Sequence, residues 1–252
     1  MRRGRRSNIR TSYRVADGTL VIDCGTSMRV LSSAPRCGGL RTTRYILNHQ
    51  VDADPVAGGS RKAARQALLS NGRHPSRTLS QVGTALGIDE PCVGLMTAVP
   101  MTQLVVGREE SKGLWVECFA TVGVTNAVRA GEPHNGEHSA LQGHGTINLI
   151  LITNGCLSHA AMVGAVQVVT ESKTGVLRDH AVPCWTGRPG ATGTGTDAVV
   201  IACANRDEGR WLPYSGTHTE IGALIGRVVA DCVTQGLARA AQWAKRRGLD
   251  KV

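Results

Sequence analysis

The stretch Ala191–Ala204, "ATGTGTDAVVIACA", alternates glycine with threonine, places a single aspartate, and then runs unbroken through apolar residues. A glycine-rich loop of this kind invites comparison with phosphate cradles. Those cradles, in P-loop and dinucleotide-binding chains, leave a strand and open a helix. Here the order is reversed, because the loop enters a short apolar run rich in β-branched residues, which predicts a buried strand. The element after it is a linker containing "GRWLPYSG", followed by a helix over Thr217–Leu237 that Thr217 or Thr219 can cap.

The same order occurs once before. Gly145 opens "GTINLILITN", another buried strand, and His159–Leu177 follows as a long helix capped by Ser158. Gly145-Thr146 and Gly195-Thr196 open the two strands 50 residues apart, which points to a β-α duplication. Upstream, Ser12–Ser33 reads as a meander of two or three strands punctuated by Asp17-Gly18 and Gly25. In "SAPRCGGL", Pro35, Gly38 and Gly39 form a turn whose backbone can approach a ligand closely, and "RYILNHQV" continues as a strand. Helices are expected over Ser60–Ser70 and Ser80–Leu86, with stops at Gly72 and Gly87, and strands in "CVGLMTAVPM" and "LWVECFATVGVTNAV", broken by Pro100 and Gly107. The fold class is therefore α+β (mixed α/β): one domain over 12–238, with a central mixed sheet covered by helices and a last half of two β-α units. Residues 1–11 read as a basic disordered tail and 239–252 as a basic C-terminal tail.

The chain has 252 residues, a formal charge of +10, 31 Gly and only eight aromatic residues, four of them Trp. Bases need aromatic platforms for stacking, and these are poorly supplied. The charge sits at the ends: removing the nine basic and one acidic residues of 1–10 and 244–252 leaves 20 basic against 18 acidic. Solvated tails explain that distribution better than nucleic-acid or membrane binding. The eight cysteines are scattered with no CxxC and several lie inside apolar runs, so they read as buried reduced thiols in a cytoplasmic protein. No cofactor or metal is expected, although His134 and His138, with His144 nearby in a glycine-rich stretch, have a spacing that could bind zinc. A GxSxG nucleophile elbow is absent from the sequence.

Two small polar clusters carry chemical content. "SGTHTE" sets His218 among Thr217, Thr219 and Glu220 at a helix start, where free N–H groups favour developing negative charge. "TESKT" puts Glu171 and Lys173 near the polar end of the preceding helix. The plain reading of each cluster is an exposed charged turn, and the catalytic reading is the sharper alternative.

The strings "SSAPRCGG", "ILNHQV", "VGLMTA", "ATVGVTNAVRAGE", "GTINLILI", "VVTESKTGVL", "ATGTGTDAVVIA" and "YSGTHTEIGALIGRVV" occur in series from about Leu31 to Gly236. In that order they resemble the CbiZ family of adenosylcobinamide amidohydrolases. The chain departs from the family wording at "VPMTQ" and at Arg36-Cys37. The resemblance implies hydrolysis of the amide that joins an aminopropanol arm to the corrin ring of adenosylcobinamide, giving adenosylcobyric acid. The implied partner is that corrinoid, with cobalt carried by the substrate, and homo-oligomerisation is left open. A non-catalytic corrinoid carrier would use the same loops.

Amide hydrolysis needs an activated nucleophile, an oxyanion stabiliser and an acid for the leaving amine. The expected assignment gives His218 or Glu171 as general base, Lys173 or the N–H groups of Gly193, Thr194, Gly195 and Thr196 as oxyanion donors, and Asp197 as an orienting residue. A threonine nucleophile, Thr194, Thr196 or Thr217, is the mechanistic alternative. Asn126, Arg129 and Asn148 are assigned to carboxamide binding or to buried turns.

Overall fold

The computed structural model describes residues 11–51, 74–132 and 145–246. Strand β1 (Ser12–Ala16) turns into β2 (Thr19–Ser32) through Asp17 and Gly18, both at positive φ (48° and 66°), as a tight hairpin requires. β2 is long enough to serve two surfaces. Its first half pairs with β1, its last residues pair with β11 (Ala198–Cys203), and β3 (Gly39–Gln50) runs along its other edge. Between Asp23 and Met28 the register to β3 slips and Gly25 takes a φ of 74°, so the ribbon bends there.

β4 (Val93–Thr97), β5 (Val105–Ser111), β6 (Leu114–Val122) and β8 (Ile147–Thr153) complete the sheet, in the order β4-β3-β2-β11-β8-β6-β5. Alternation along β6 separates its two faces. Leu114, Val116, Cys118, Ala120 and Val122 pack with α2 (His159–Asp179) and α3 (Glu220–Arg246). Trp115 and Phe119 face the other way and pack with Leu20, Ile22, Ile46, Val93 and Leu95 from the β2-β3-β4 half. Those residues can meet only if the sheet folds back over itself, giving two leaves around one core. Asn48 on β3 donates to Thr121 on β6 (3.1 Å), and Asn148 on β8 donates to Asn48 (3.0 Å) and to the Met96 carbonyl (2.8 Å), so hydrogen bonds as well as apolar contact tie the leaves. Helix α1 (Pro75–Ala85) covers the outside of β3 and β4.

The β-α duplication is present. β8 and β11 lie side by side and parallel, matched from Asn148↔Ala198 to Thr153↔Cys203, a constant offset of 50 residues. Short strands β9 (Gly155–Leu157) and β12 (Arg210–Leu212) repeat the pairing in parallel before the two helices. Ser158 caps α2 by accepting from the Ala161 N–H (2.9 Å), and Thr219, rather than Thr217, accepts from the Gly222 N–H at the start of α3 (3.0 Å).

Some boundaries differ from expectation. Gly107, expected to break a strand, lies inside β5, where Val228 and Cys232 of α3 pack against it, while Arg108 and Glu110 of this edge strand face water. α3 runs on to Arg246, so the segment expected to be a tail from 239 is helical that far; "ARAAQWAKR" is rich in strong helix formers. That helix is long and apolar enough to cross a membrane, yet Ile221, Leu224, Ile225, Val228 and Val229 are buried against the sheet. The helix expected at Ser60–Ser70 lies outside the described residues. All eight cysteines are free and seven are buried; burial pushes the Cys24 thiol up to about 12.

Close packing of α3 on β6 sets a test. A β-carbon at Gly236 would stand 2.4 Å from Val122 Cγ2, whereas one at Gly175 on α2 meets nothing within 4 Å. Gly175→Ala should raise stability by about 0.5–1 kcal/mol through helix propensity. Gly236→Ala should lose about 1–3 kcal/mol in spite of that gain, because the helix must lift. Urea midpoints for the two variants check both signs.

Candidate functional site

The glycine-threonine loop closes on its own aspartate. β10 (Gly193–Thr194) pairs with β7 (Ala127–Val128), and the chain then turns so that Asp197 reaches back beneath it. Its carboxylate accepts from four donors: Thr194 N–H (3.0 Å), Thr194 Oγ1 (2.5 Å), Ile147 N–H (2.9 Å) and Lys173 Nζ (2.5 Å). An ionised carboxylate has about four lone-pair sites, so this one is saturated. Lys173 is 7% exposed on the inner face of α2, and a charge so placed needs its counter-charge. Gly193 has no room for a side chain, since a β-carbon would come within 2.4 Å of Asp197 Oδ2 and 2.7 Å of Lys173 Nζ.

The duplicated dipeptides cross-link as well. Thr146 Oγ1 donates to the Thr196 carbonyl (2.9 Å), and Thr196 Oγ1 reaches the Gly145 carbonyl (3.5 Å). Thr192 accepts from the Ala130 N–H, and its carbonyl accepts from Thr174 of α2. The loop is thereby fastened to β7, β8 and α2 together. Of the three threonines considered as nucleophiles, Thr194 is the one whose hydroxyl points at a carboxylate. That arrangement leaves its lone pairs for attack.

Several expected residues lie elsewhere. Glu171 and Lys173 are two residues apart on a helix, about 200° around its axis, so Glu171 faces solvent while Lys173 faces the core. His218 and Thr217 are exposed in a shallow cavity with Gly164, Gln167 and Tyr214. Gly164 and Lys173 are nine residues apart on α2, about 14 Å along it, which puts that cavity at the other end of the helix. The structure thus does not join His218 or Glu171 to Asp197. The N–H of Thr194 is already committed to Asp197, which leaves Gly195 and Thr196 of the expected backbone donors in the exposed part of the loop.

Asn126 lies against Gly145, beside the cluster. Arg129 is exposed near Gly190. Asn148 is buried and joins the two leaves. Gly38 lies in the β2–β3 connection and Gly39 opens β3; Ser33 of that connection exchanges hydrogen bonds with Val199, two residues past Asp197. Sequence reasoning missed Thr146 as a site residue, although the 50-residue repeat of Gly-Thr was its signal. Among the described residues no three of His, Cys, Asp and Glu are grouped to hold a metal; His134, His138 and His144 lie outside them.

Removing one partner of a buried ion pair strands the other. Lys173→Met should cost about 3–5 kcal/mol of stability, and Asp197→Asn in the same background should recover part of it. Equal urea midpoints for wild type and Lys173→Met would show that the pair is solvated.

The family profile described as adenosylcobinamide amidohydrolase matches residues 4–245. An adenosylcobinamide amidohydrolase of Methanosarcina mazei is 28% identical over 232 residues, covering 89% of this chain and 96% of that one. An uncharacterised protein of Methanocaldococcus jannaschii is 29% identical over 239 residues, 88% of this chain and 86% of that one. An adenosylcobinamide amidohydrolase of Halobacterium salinarum is 38% identical over 93 residues, covering 37% and 36% of the two chains. A distant structural likeness, at a TM-score of 0.39 and 14% identity, covers 95% of this chain and 81% of a Burkholderia sp. beta-aminopeptidase. With the profile matched from one end of the described fold to the other, the chain belongs to the adenosylcobinamide amidohydrolase family.

Proposed function

We propose that this protein hydrolyses the amide between the aminopropanol arm and the corrin ring of adenosylcobinamide, in the cytoplasm, releasing adenosylcobyric acid and aminopropanol. The observation that carries the reading is the Thr194 hydroxyl held 2.5 Å from Asp197, itself paired with Lys173. Thr194 Oγ1 attacks the amide carbonyl and its proton passes to Asp197. The C–N bond breaks, the amine leaves with that proton, and water then cleaves the ester by the same route in reverse. Lys173 pairs with one oxygen of Asp197 while the other accepts from the Thr194 hydroxyl, and the backbone N–H groups of the exposed residues Gly195 and Thr196 stabilise the oxyanion. Glycine and threonine around the loop suit contacts to a substrate rich in carboxamides.

A carrier role is favoured by a different aspect of the same geometry, the saturation of Asp197 by four donors, which suits a purely structural knot. Incubation with adenosylcobinamide, followed by chromatography, separates the two. The expected result is adenosylcobyric acid and free aminopropanol. Thr194→Ala should lower turnover by about 10²–10⁴-fold while Thr194→Ser retains part of it. Tight binding with intact substrate would replace the enzyme reading by the carrier.

A further inference from the structure

Thr146 puts a hydroxyl where an apolar strand needs none. It is buried at the entry of β8, and every residue of Ile147–Thr153 behind it is buried as well. Its backbone is fixed, because the Thr146 carbonyl accepts from the Gly123 N–H (3.0 Å). A hydroxyl largely closed off from water needs a partner, and this one donates to the Thr196 carbonyl (2.9 Å). The next residue, Ile147, donates its N–H to Asp197 Oδ1 (2.9 Å). Two successive residues at the entry of β8 therefore hold two successive residues of the loop, Thr196 by its backbone and Asp197 by its side chain. Pairing of β8 with β11 begins only at Asn148↔Ala198, one step further in. The ladder stops short of residues 196 and 197, and the Thr146 hydroxyl carries the hold of β8 past its end.

That hold governs the proposed proton transfer. The Thr196 carbonyl belongs to the peptide unit that leads into Asp197, so turning that unit swings the Asp197 side chain. Oδ1 of Asp197 serves the Ile147 N–H and the Thr194 hydroxyl together, at 2.9 and 2.5 Å, while Lys173 bonds the other oxygen. A displacement of about 1 Å takes such a pair out of transfer range. We propose that Thr146 is a positioning residue: without touching substrate, its hydroxyl fixes the peptide before Asp197 and so keeps the carboxylate on the Thr194 hydroxyl. The role rests on the amidohydrolase reading above, with Thr194 as nucleophile.

The test compares Thr146→Val, which keeps the shape and loses the hydroxyl, with Thr146→Ser, which keeps the hydroxyl and loses the methyl. On adenosylcobinamide, Thr146→Val should lower kcat by about 10–100-fold and leave KM within about twofold, because the loops that contact substrate stay in place. Thr146→Ser should stay within about fivefold of wild type. Urea midpoints establish that each variant is folded under the assay conditions. Should Thr146→Val not fold, Thr146→Ala and Thr146→Ser lack the same methyl, differ in the hydroxyl, and give the same comparison. A merely structural threonine predicts wild-type kcat from every folded variant. That result, equal losses with and without the hydroxyl, or a loss confined to KM overturns the assignment of Thr146 alone. Failure of the wild-type protein to cleave the amide overturns the reaction itself, and the role of Thr146 with it.

Discussion

One carboxylate organises the candidate site of this molecule. Asp197 carries a charge that is largely withdrawn from water, and such a charge persists only where hydrogen bonds and a counter-charge replace the lost hydration. The four replacements come from three elements: the loop's own Thr194, the first residue of β8, and the C-terminal half of α2. Satisfying one side chain therefore fixes where the loop lies, how β8 and β11 are staggered, and how α2 is rotated about its axis. The glycine at 193 follows from the same constraint, since the space beside Asp197 and Lys173 is filled by their own atoms.

The layers repeat this economy on a larger scale. The bend in β2 lets one sheet supply both walls of the interior, with Phe119 and Trp115 packed against Ile22, Ile46 and Leu95. The helices then need to cover only the outer faces. Polar groups in that interior are few and bonded across it: Asn48, Thr121 and Asn148 bridge the leaves close to where Ile147 meets Asp197. Leaf spacing and site geometry are consequently set at the same edge.

Much of the second half was legible in the sequence because its signals are local. Buried strands after Gly145 and Asp197, long helices with Ser158 and Thr219 as caps, and a 50-residue repeat are all patterns of spacing and residue type. The order of strands was not legible, since the pairing of β2 with β11 depends on contacts between residues far apart in the chain. The site was half legible. Lys173, Asp197 and Thr194 could be named from their loops, but Glu171 and His218 looked just as suitable. What separates them is helix periodicity and helix length, which place Glu171 in water and His218 at the far end of α2. Thr146 was visible as half of the Gly-Thr repeat, but what ties it to the loop, the bond to the Thr196 carbonyl, depends on the pairing of β8 with β11.

The strand order also bears on how the chain is made. In β4-β3-β2-β11-β8-β6-β5, the two halves of the sheet are joined through β11, which pairs with β2 on one side and β8 on the other. Both halves emerge from the ribosome before that strand does. Until it arrives, β2 and β8 each present an open apolar edge, the kind of surface that aggregates or recruits a chaperone. Completion of the sheet thus waits on the long-range pairing of β2 with β11, the kind of contact that slows folding. The residue that leads β11 into the gap is Asp197, so the last strand to be inserted brings the site's anchor with it.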